Sequence, residues 1–262
     1  MSLTLDIGAT GMLAQQLNVD TISNNIANMT TTGFKRQRAE FQDLLYQTKV
    51  RPGSSSSDAS TTVPSGIQQG LGVRAGSVYR INEQGAIQLT GNKLDLANLG
   101  QGYFPITLPS GETAYTRDGS FQLNQTGQMV TSQGYVLQPG ITIPSDAVDI
   151  TVNSSGQVLV KIQGQTAMTN VGQIQTALFP NDAGLEAIGG NLATVTEASG
   201  AAILGNPGAP GYGALEQAAL EASNVNVVSE ITSLIQAQRA YEMNSKVIQA
   251  GDQMLNTITQ LR

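Results

Sequence analysis

The sequence predicts an α+β fold, in which discontinuous N- and C-terminal coiled-coil-type helices accompany a central all-β domain and an extended linker hairpin joins the two parts. The helices are predicted because apolar residues recur every seven positions near both ends of the 262-residue chain. The β domain is predicted because short alternating stretches between about 70 and 220 are separated by turn pairs that end in glycine.

The N-terminal stripe consists of five apolar residues that a helix places on one face: Leu5, Met12, Val19, Ile22 and Ile26. The helix is predicted to end near Asn28, because the run from Thr30 to Gly33 combines β-branched residues with a glycine.

The C-terminal stripe steps by seven residues without a break: Val227, Leu234, Tyr241, Ile248 and Leu255. A helix over 225–261 would be about 55 Å long at roughly 1.5 Å per residue, which is typical of coiled-coil elements. We expect Asn224 or Asn226 to cap its start.

Each stripe lacks a partner in the neighbouring sequence. Pairing the two ends within one chain closes a loop of roughly 190 residues and costs about 4 to 5 kcal/mol of chain entropy. A buried Leu or Ile returns roughly 1.5 to 3 kcal/mol, so the pairing is predicted to be marginal in a lone chain. Neighbouring copies would supply the missing contacts. The alternative is an ordinary intramolecular helical hairpin beside the β domain.

The middle of the chain is predicted to contain strands, for example over 114–117, 120–123 and 158–162. The hairpin turns are expected at Ser110-Gly111, Asp118-Gly119, Thr126-Gly127, Gln133-Gly134, Ser155-Gly156 and Gln163-Gly164. Residues 52–62 have the composition of a linker.

Composition narrows the function classes. Charged residues make up only 12% of the chain, against roughly 25% in ordinary soluble domains. Neutral polar groups dominate instead, which suits a surface that is covered by neighbours. The chain has no Cys and no His, so thiolate chemistry and the commonest general base are excluded. Its net charge of -6 argues against nucleic acid as a partner.

The N-terminus is not expected to be a signal peptide, because the first basic residue is Lys35.

The sequence contains only poor matches to known catalytic motifs. The run from Gly70 to Gly76 has the wrong spacing for a dinucleotide fingerprint. Glu112, Asp118 and Asp146 could supply a carboxylate pair for glycoside hydrolysis, but nothing in the sequence fixes their separation. We therefore expect no enzyme activity, no cofactor and no metal.

Motifs at both ends resemble those of the rod and hook axial proteins of the bacterial flagellum. The matching segments run from Asn24 to Asn28, from Thr31 to Arg36, from Ser223 to Val225 and from Gln238 to Lys246. Further matches in the middle are at 95–97, 102–104 and 115–119. The resemblance marks eight motif residues: Asn25, Asn28, Gly33, Phe34, Gln238, Arg239, Tyr241 and Asn244.

The chain length and the stretch from Tyr46 to Gly66 resemble the distal-rod members of this family. The resemblance implies that 1–30 and 225–262 form an inner helical tube, that 31–70 connect it outward, and that 71–224 form an outer β domain. The two apolar stripes would be the subunit interface of the inner tube. The implied function is that of a structural subunit of a hollow, rigid helical polymer that serves as drive shaft and export channel.

The resemblance also implies partners and a location. The partners are further copies of the chain, proximal rod proteins, the hook protein, the P-ring and L-ring proteins and the flagellar type III export apparatus. The location is the periplasm-spanning rod of the basal body, reached without a cleaved signal peptide. Two alternatives remain, namely another axial subunit (proximal rod or hook) and a periplasmic cell-wall hydrolase.

Overall fold

The computed structural model of the chain describes residues 3–52, 65–165 and 167–260, apart from the side chain of Ile258. The fold is α+β, as the sequence predicts. Contacts divide the chain into two compact units. The helical unit comprises Met1–Ala27, Gln37–Tyr79 and Asn226–Arg262. The β unit comprises Asn28–Arg36 and Arg80–Val225.

The helical unit contains both long helices, α1 (Leu3–Ala27) and α2 (Val227–Gln260). Their ends agree with the sequence prediction to within two residues. Asn226 caps α2, because its Oδ1 accepts the N–H of Ser229 at 3.2 Å. The strands that accompany the helices are β1 (Gln37–Asp43), β2 (Tyr46–Val50), β3 (Ile67–Gly70) and β4 (Val73–Arg80). β1 pairs with β4, and β2 pairs with β3.

The β unit is built from short strands and one 3-10 turn at Asp182–Gly184. The strands are β5 (Ile87–Leu89), β6 (Leu96–Leu99), β7 (Phe104–Thr107), β8 (Thr113–Thr116), β9 (Gln122–Leu123), β10 (Met129–Val130), β11 (Val136–Leu137), β12 (Ala147–Val152), β13 (Gln157–Ile162), β14 (Thr169–Gln173), β15 (Thr176–Leu178), β16 (Glu186–Gly189), β17 (Leu192–Thr194), β18 (Ile203–Gly205), β19 (Ala214–Gln217) and β20 (Ala219–Glu221).

A seven-stranded sheet in the order β16-β17-β8-β7-β11-β10-β9 forms the centre of the β unit. A three-stranded sheet, β12-β13-β14, and the pairs β15-β18, β19-β6 and β20-β5 complete it. The main core lies between these layers and includes Leu96, Phe104, Phe121, Val158 and Ile174. A smaller aromatic cluster forms around Tyr103, Tyr115 and Phe179. The unit therefore has an apolar core of its own.

Most of the predicted hairpins are confirmed. The turns join β7 to β8, β9 to β10, β10 to β11, β12 to β13 and β13 to β14, and their glycines have positive φ angles. The hairpin predicted at Asp118-Gly119 is wrong, because β8 and β9 lie apart in the sheet. Gly119 has a different role there. A Cβ at this position would overlap the carbonyl oxygen of Leu96 at 1.7 Å.

The strand predicted over 114–117 corresponds to β8, and the strand over 158–162 corresponds to β13. The strand expected over 120–123 is shorter, since only Gln122 and Leu123 are in β9. Nearly all of the linker predicted at 52–62 lies outside the described residues. The predicted division into 1–30 with 225–262, 31–70 and 71–224 concerns the assembled protein and stays a prediction.

Candidate assembly surface

Small residues form the seam along which α1 and α2 pack in the helical unit. A Cβ on Gly8 would lie 2.6 Å from Cγ1 of Ile248, and one on Gly11 would lie 2.8 Å from Nδ2 of Asn244. A Cβ on Gly251 would lie 3.4 Å from Cδ2 of Leu5. Residue numbers fall on one helix as they rise on the other, so the helices run antiparallel. Because these glycines lack a Cβ, the side chains of Ile248, Asn244 and Leu5 pack directly against the main chain of the opposite helix.

Asn25 fixes the other end of the helix pair and is 1% exposed. Its Nδ2 donates to the carbonyl of Gln37 at 2.8 Å and to Oε2 of the buried Glu230 at 3.1 Å. Its Oδ1 accepts the N–H of Gln37 at 2.8 Å. One amide thus connects α1, the start of β1 and the first turn of α2. A buried amide with these partners is satisfied and holds all three elements in register.

Two of the predicted interface residues, Ile248 and Leu5, contact the glycines of this seam. Ile22 is the one buried member among those that the structure describes. The members that are half-buried are Leu5, Met12, Val19, Ile26, Val227, Leu234 and Ile248. Tyr241 and Leu255 are exposed. The two stripes therefore keep much of their apolar surface in contact with solvent after α1 and α2 have packed together.

Two further apolar rows lie on exposed faces of α2. Val228, Ile231 and Ile235 form the first row, and Val228 is 75% exposed. The second row, Met243, Val247 and Met254, lies nearer the C-terminus, and Met243 is 60% exposed. At roughly 100° per residue the two rows face directions about 100° apart. Apolar rows of this kind mark surfaces that a partner covers.

The remaining motif residues divide into two groups. Gln238 and Arg239 are exposed on α2, and Asn244 lies against Gly11. In the β unit, Asn28 accepts a hydrogen bond from the hydroxyl of Thr31 at 3.1 Å. The N–H of the half-buried Phe34 donates to the Thr31 carbonyl at 3.3 Å.

Gly33 occupies a position that only glycine tolerates. Its φ is +68°, and a Cβ would lie 2.8 Å from the main chain of both Arg117 and Asp118. Its N–H donates to the carbonyl of Glu221 at 2.8 Å. Gly33 thereby lets segment 28–36 pack directly against the rest of the β unit.

A buried charge cluster follows Gly33. Nζ of Lys35 lies 2.6 Å from Oε1 of Glu221, and their side chains are 5% and 1% exposed. Arg117 lies beside this pair, with Nη1 3.6 Å from Oε2 of Glu221, and its guanidinium stacks 5.3 Å from the centre of the Tyr103 ring. Burial lowers the pKa of Lys35, while its hydrogen bond to Glu221 acts in the opposite direction. Burial also raises the pKa of Tyr103 to about 12.

Three protein-family models match the chain. The "Flagella basal body rod protein" model matches residues 5–35, the "Flagellar hook protein FlgE/F/G D1 domain" model matches 98–160, and the "Flagellar basal body rod FlgEFG protein C-terminal" model matches 216–261. The flagellar basal-body rod protein FlgG of Caulobacter vibrioides is 64% identical over 258 residues, which cover 98% of both chains. The chain belongs to the flagellar basal-body rod protein family.

More distant relatives of this rod protein also align over almost their full length. The flagellar basal-body rod protein FlgG of Agrobacterium fabrum is 50% identical over 255 residues, which cover 97% of both chains. The protein of the same name from Borreliella burgdorferi is 47% identical over 264 residues, covering 100% of this chain and 99% of the relative. The family predicted from the sequence motifs is thus confirmed.

Sequence reasoning missed the charged partners of the rod protein's motif residues. Lys35 and Arg117 lie within quoted motifs, but Glu221 and Glu230 carry no local signal of burial. The sequence offers one indirect signal of these buried partners, namely the small number of acidic residues: only 19 residues of the chain are Asp or Glu. An acidic residue beside a motif in such a chain is a good candidate for a buried partner.

The described part of the rod protein has few features of metal-binding proteins, hydrolases or membrane-spanning proteins. No group of three His, Cys, Asp or Glu side chains that could hold a metal occurs there. Asp118, one of the carboxylates considered for hydrolysis, accepts the N–H of Ser120 at 3.0 Å in a local turn. Neither α1 nor α2 is long and apolar enough to cross a membrane.

Proposed function

We propose that this rod protein is a structural subunit of the flagellar distal rod and polymerises into a hollow, rigid helical tube that acts as drive shaft and export channel. The observation that carries the proposal is the apolar surface left on the helical unit. Two rows on α2 remain exposed after α1 has filled the seam. Because the rows face different directions, one copy can contact two neighbours, as a closed tube requires.

The interface predicted from the sequence is supported by the same surface. The residues Leu5, Met12, Val19, Ile22, Ile26, Val227, Leu234, Tyr241, Ile248 and Leu255 pack between copies in the inner tube. Their half-buried state in one chain supports this role, because further burial releases additional free energy, about 25 cal/mol for each Å² of apolar surface removed from water. The motif residues Gln238 and Arg239, which are exposed on the same helix, lie at the edge of this interface.

The partners follow from the place of a distal rod. They are other copies of the chain, proximal rod proteins, the hook protein, the P-ring and L-ring proteins and the type III export apparatus. The subunit is located in the periplasm-spanning rod of the basal body. It has no catalytic role, takes no cofactor and binds no nucleic acid. The membership of a structural family and the acidic sequence pI of about 4.6 support these statements.

Leu234→Asp is expected to abolish tube formation at protein concentrations at which the wild type assembles. Leu234 lies at the border between the α1 seam and the first exposed row, so a carboxylate there would be desolvated between copies without a partner. Electron microscopy and sedimentation of the purified protein measure the effect. Near-ultraviolet circular dichroism of the tyrosines checks that the β unit remains folded.

Gln249→Asp is the matched control, because Gln249 is exposed on the same helix but outside both apolar rows. It introduces the same charge and is expected to leave assembly unchanged. Straight, hollow tubes of normal length from Leu234→Asp would contradict the proposed interface.

The hairpin formed by β2 and β3 lies in the stretch from Tyr46 to Gly66, whose resemblance to distal-rod members favours the distal rod over another axial subunit. No side chain in either strand is buried, and Leu45, just before β2, is 83% exposed. A two-stranded hairpin is marginal on its own in water, so this one requires cover from a neighbour.

Deleting residues 46–66 is expected to leave the helical unit folded, because the deletion removes no buried side chain among the described residues. The resulting polymer should lose stiffness and straightness, which electron microscopy of the tubes measures. Tubes as straight as those of the wild type would favour a proximal rod protein instead.

A further inference from the structure

The chain passes between the helical unit and the β unit at four places: after Ala27, after Arg36, after Tyr79 and after Val225. On the β-unit side, three of these crossings begin or end in the segments 33–36, 81–85 and 221–225. All three segments belong to the β unit. Side chains bond them directly to one another.

Asn224 lies in the segment 221–225 and bonds to the other two segments through both the oxygen and the nitrogen of its side-chain amide. Its Oδ1 accepts the N–H of Arg36 at 2.7 Å. Its Nδ2 donates to the carbonyls of Ile81 at 2.9 Å and Glu83 at 3.0 Å. The N–H of Ile81 also donates to the Arg36 carbonyl at 2.8 Å. Asn224 therefore does not cap α2, as one alternative from the sequence had it, but connects the segments before and after the crossings.

The ion pair of Lys35 and Glu221 joins the same three segments through a second set of hydrogen bonds. Lys35 Nζ donates to Glu221 Oε1 at 2.6 Å and to the Glu83 carbonyl at 2.7 Å. The same Oε1 accepts the N–H of Gly85 at 2.9 Å. A buried ion pair contributes little net stability when compared with apolar residues. Net stability therefore does not explain why this pair lies at the crossings. The segments that it joins to one another explain it better.

We propose that Asn224, Lys35 and Glu221 form a joint that locks three of the four chain crossings to one another, so that a load entering the β unit along one crossing is shared by the others. The proposal rests on the function proposed above, in which the subunit transmits torque. Without these side chains, the segments would be joined only by main-chain hydrogen bonds such as that from the Ile81 N–H to the Arg36 carbonyl. These three are positioning residues, and the load passes through the main chain that they hold.

The test compares wild-type protein with Asn224→Ala. The substitution removes the bonds to Arg36, Ile81 and Glu83 together. Hydrogen exchange at the amides of Arg36 and Ile81 is expected to become roughly tenfold faster or more. Cells that carry the variant should build rods in normal number and swim normally in dilute medium. They should stop at a medium viscosity at which wild-type cells still swim.

Asn181→Ala is the matched control, because the Asn181 amide donates to one carbonyl, that of Ala198, in an exposed loop. It should change neither the amides at the crossings nor swimming under load. If Asn224→Ala does not fold, Lys35→Met replaces it, since it removes the bonds to Glu83 and Glu221 while Arg117 remains beside Glu221 to compensate its charge.

Three results would overturn the joint: unchanged exchange at Arg36 and Ile81, faster exchange with wild-type swimming at high viscosity, or a control that behaves like the variant. A failure of the proposed function is distinguishable from these. In that case the wild-type chain itself forms no tubes, while the exchange measurement on the monomer still reports whether Asn224 holds the crossings.

Discussion

Replacing Asn25 by Leu is expected to lower the free energy of unfolding of the helical unit by about 2 to 5 kcal/mol. The two side chains have the same number of heavy atoms and the same branching at Cγ, so the main effect of the change is the loss of hydrogen bonds. The main-chain N–H and carbonyl of Gln37 lose the bonds to the amide, and the carboxylate of Glu230 loses a donor. These groups lie where α1, β1 and α2 meet, so water cannot readily replace the lost partner.

Urea unfolding followed by ellipticity at 222 nm measures the effect, because α1 and α2 both belong to the helical unit. Asn24→Leu is the matched control. Asn24 is the preceding residue, is exposed and bonds to the Gln37 side chain at 3.3 Å. The control is expected to change the free energy of unfolding by less than about 1 kcal/mol. Equal losses in both variants would show that Asn25 has no special role in joining the three elements.

Local signals account for the parts of the fold that the sequence predicts well. Asn226 and the seven-residue spacing define α2, and glycines with positive φ define the hairpins in the β unit. The failure at Asp118-Gly119 has a specific cause. The pair has the composition of a turn, but Gly119 is required by its close approach to Leu96, which is remote in sequence.

The site was harder to predict, because its contacts connect distant residues. Asn25 and Glu230 are separated by 205 positions, and Lys35 and Glu221 by 186. The glycines of the helix seam were missed for a different reason. Apolar periodicity gives weight to large residues such as Met12 and Val19, whereas the closest contacts occur at Gly8 and Gly11. A glycine inside a helix is ordinarily a weak point, and here it permits the packing.

Phe104→Ala is expected to lower the free energy of unfolding of the β unit by about 3 to 5 kcal/mol. Phe104 is fully buried, and its ring packs edge-to-face against Phe121 with a centroid distance of 5.3 Å. Truncation leaves a cavity at the centre of the seven-stranded sheet, where neighbours from several strands cannot all move inward. Near-ultraviolet circular dichroism measures the loss, because Tyr103, Tyr115, Tyr135 and Tyr212 lie in this unit.

The control for Phe104→Ala is Leu89→Ala, since Leu89 is 79% exposed in the same unit. Its expected effect on the free energy of unfolding is within about 0.5 kcal/mol.

The near-ultraviolet signal and the ellipticity at 222 nm together decide whether the two units unfold separately. At a urea concentration that unfolds the β unit of Phe104→Ala, the ellipticity at 222 nm should persist, because both long helices lie outside that unit and pack through their own seam. Simultaneous loss of both signals would show that the assembly surface on α2 depends on the β core. Persistent helices would mean that copies can associate through α1 and α2 even when the β unit is damaged, so that tube formation and load transmission are separable properties of one chain.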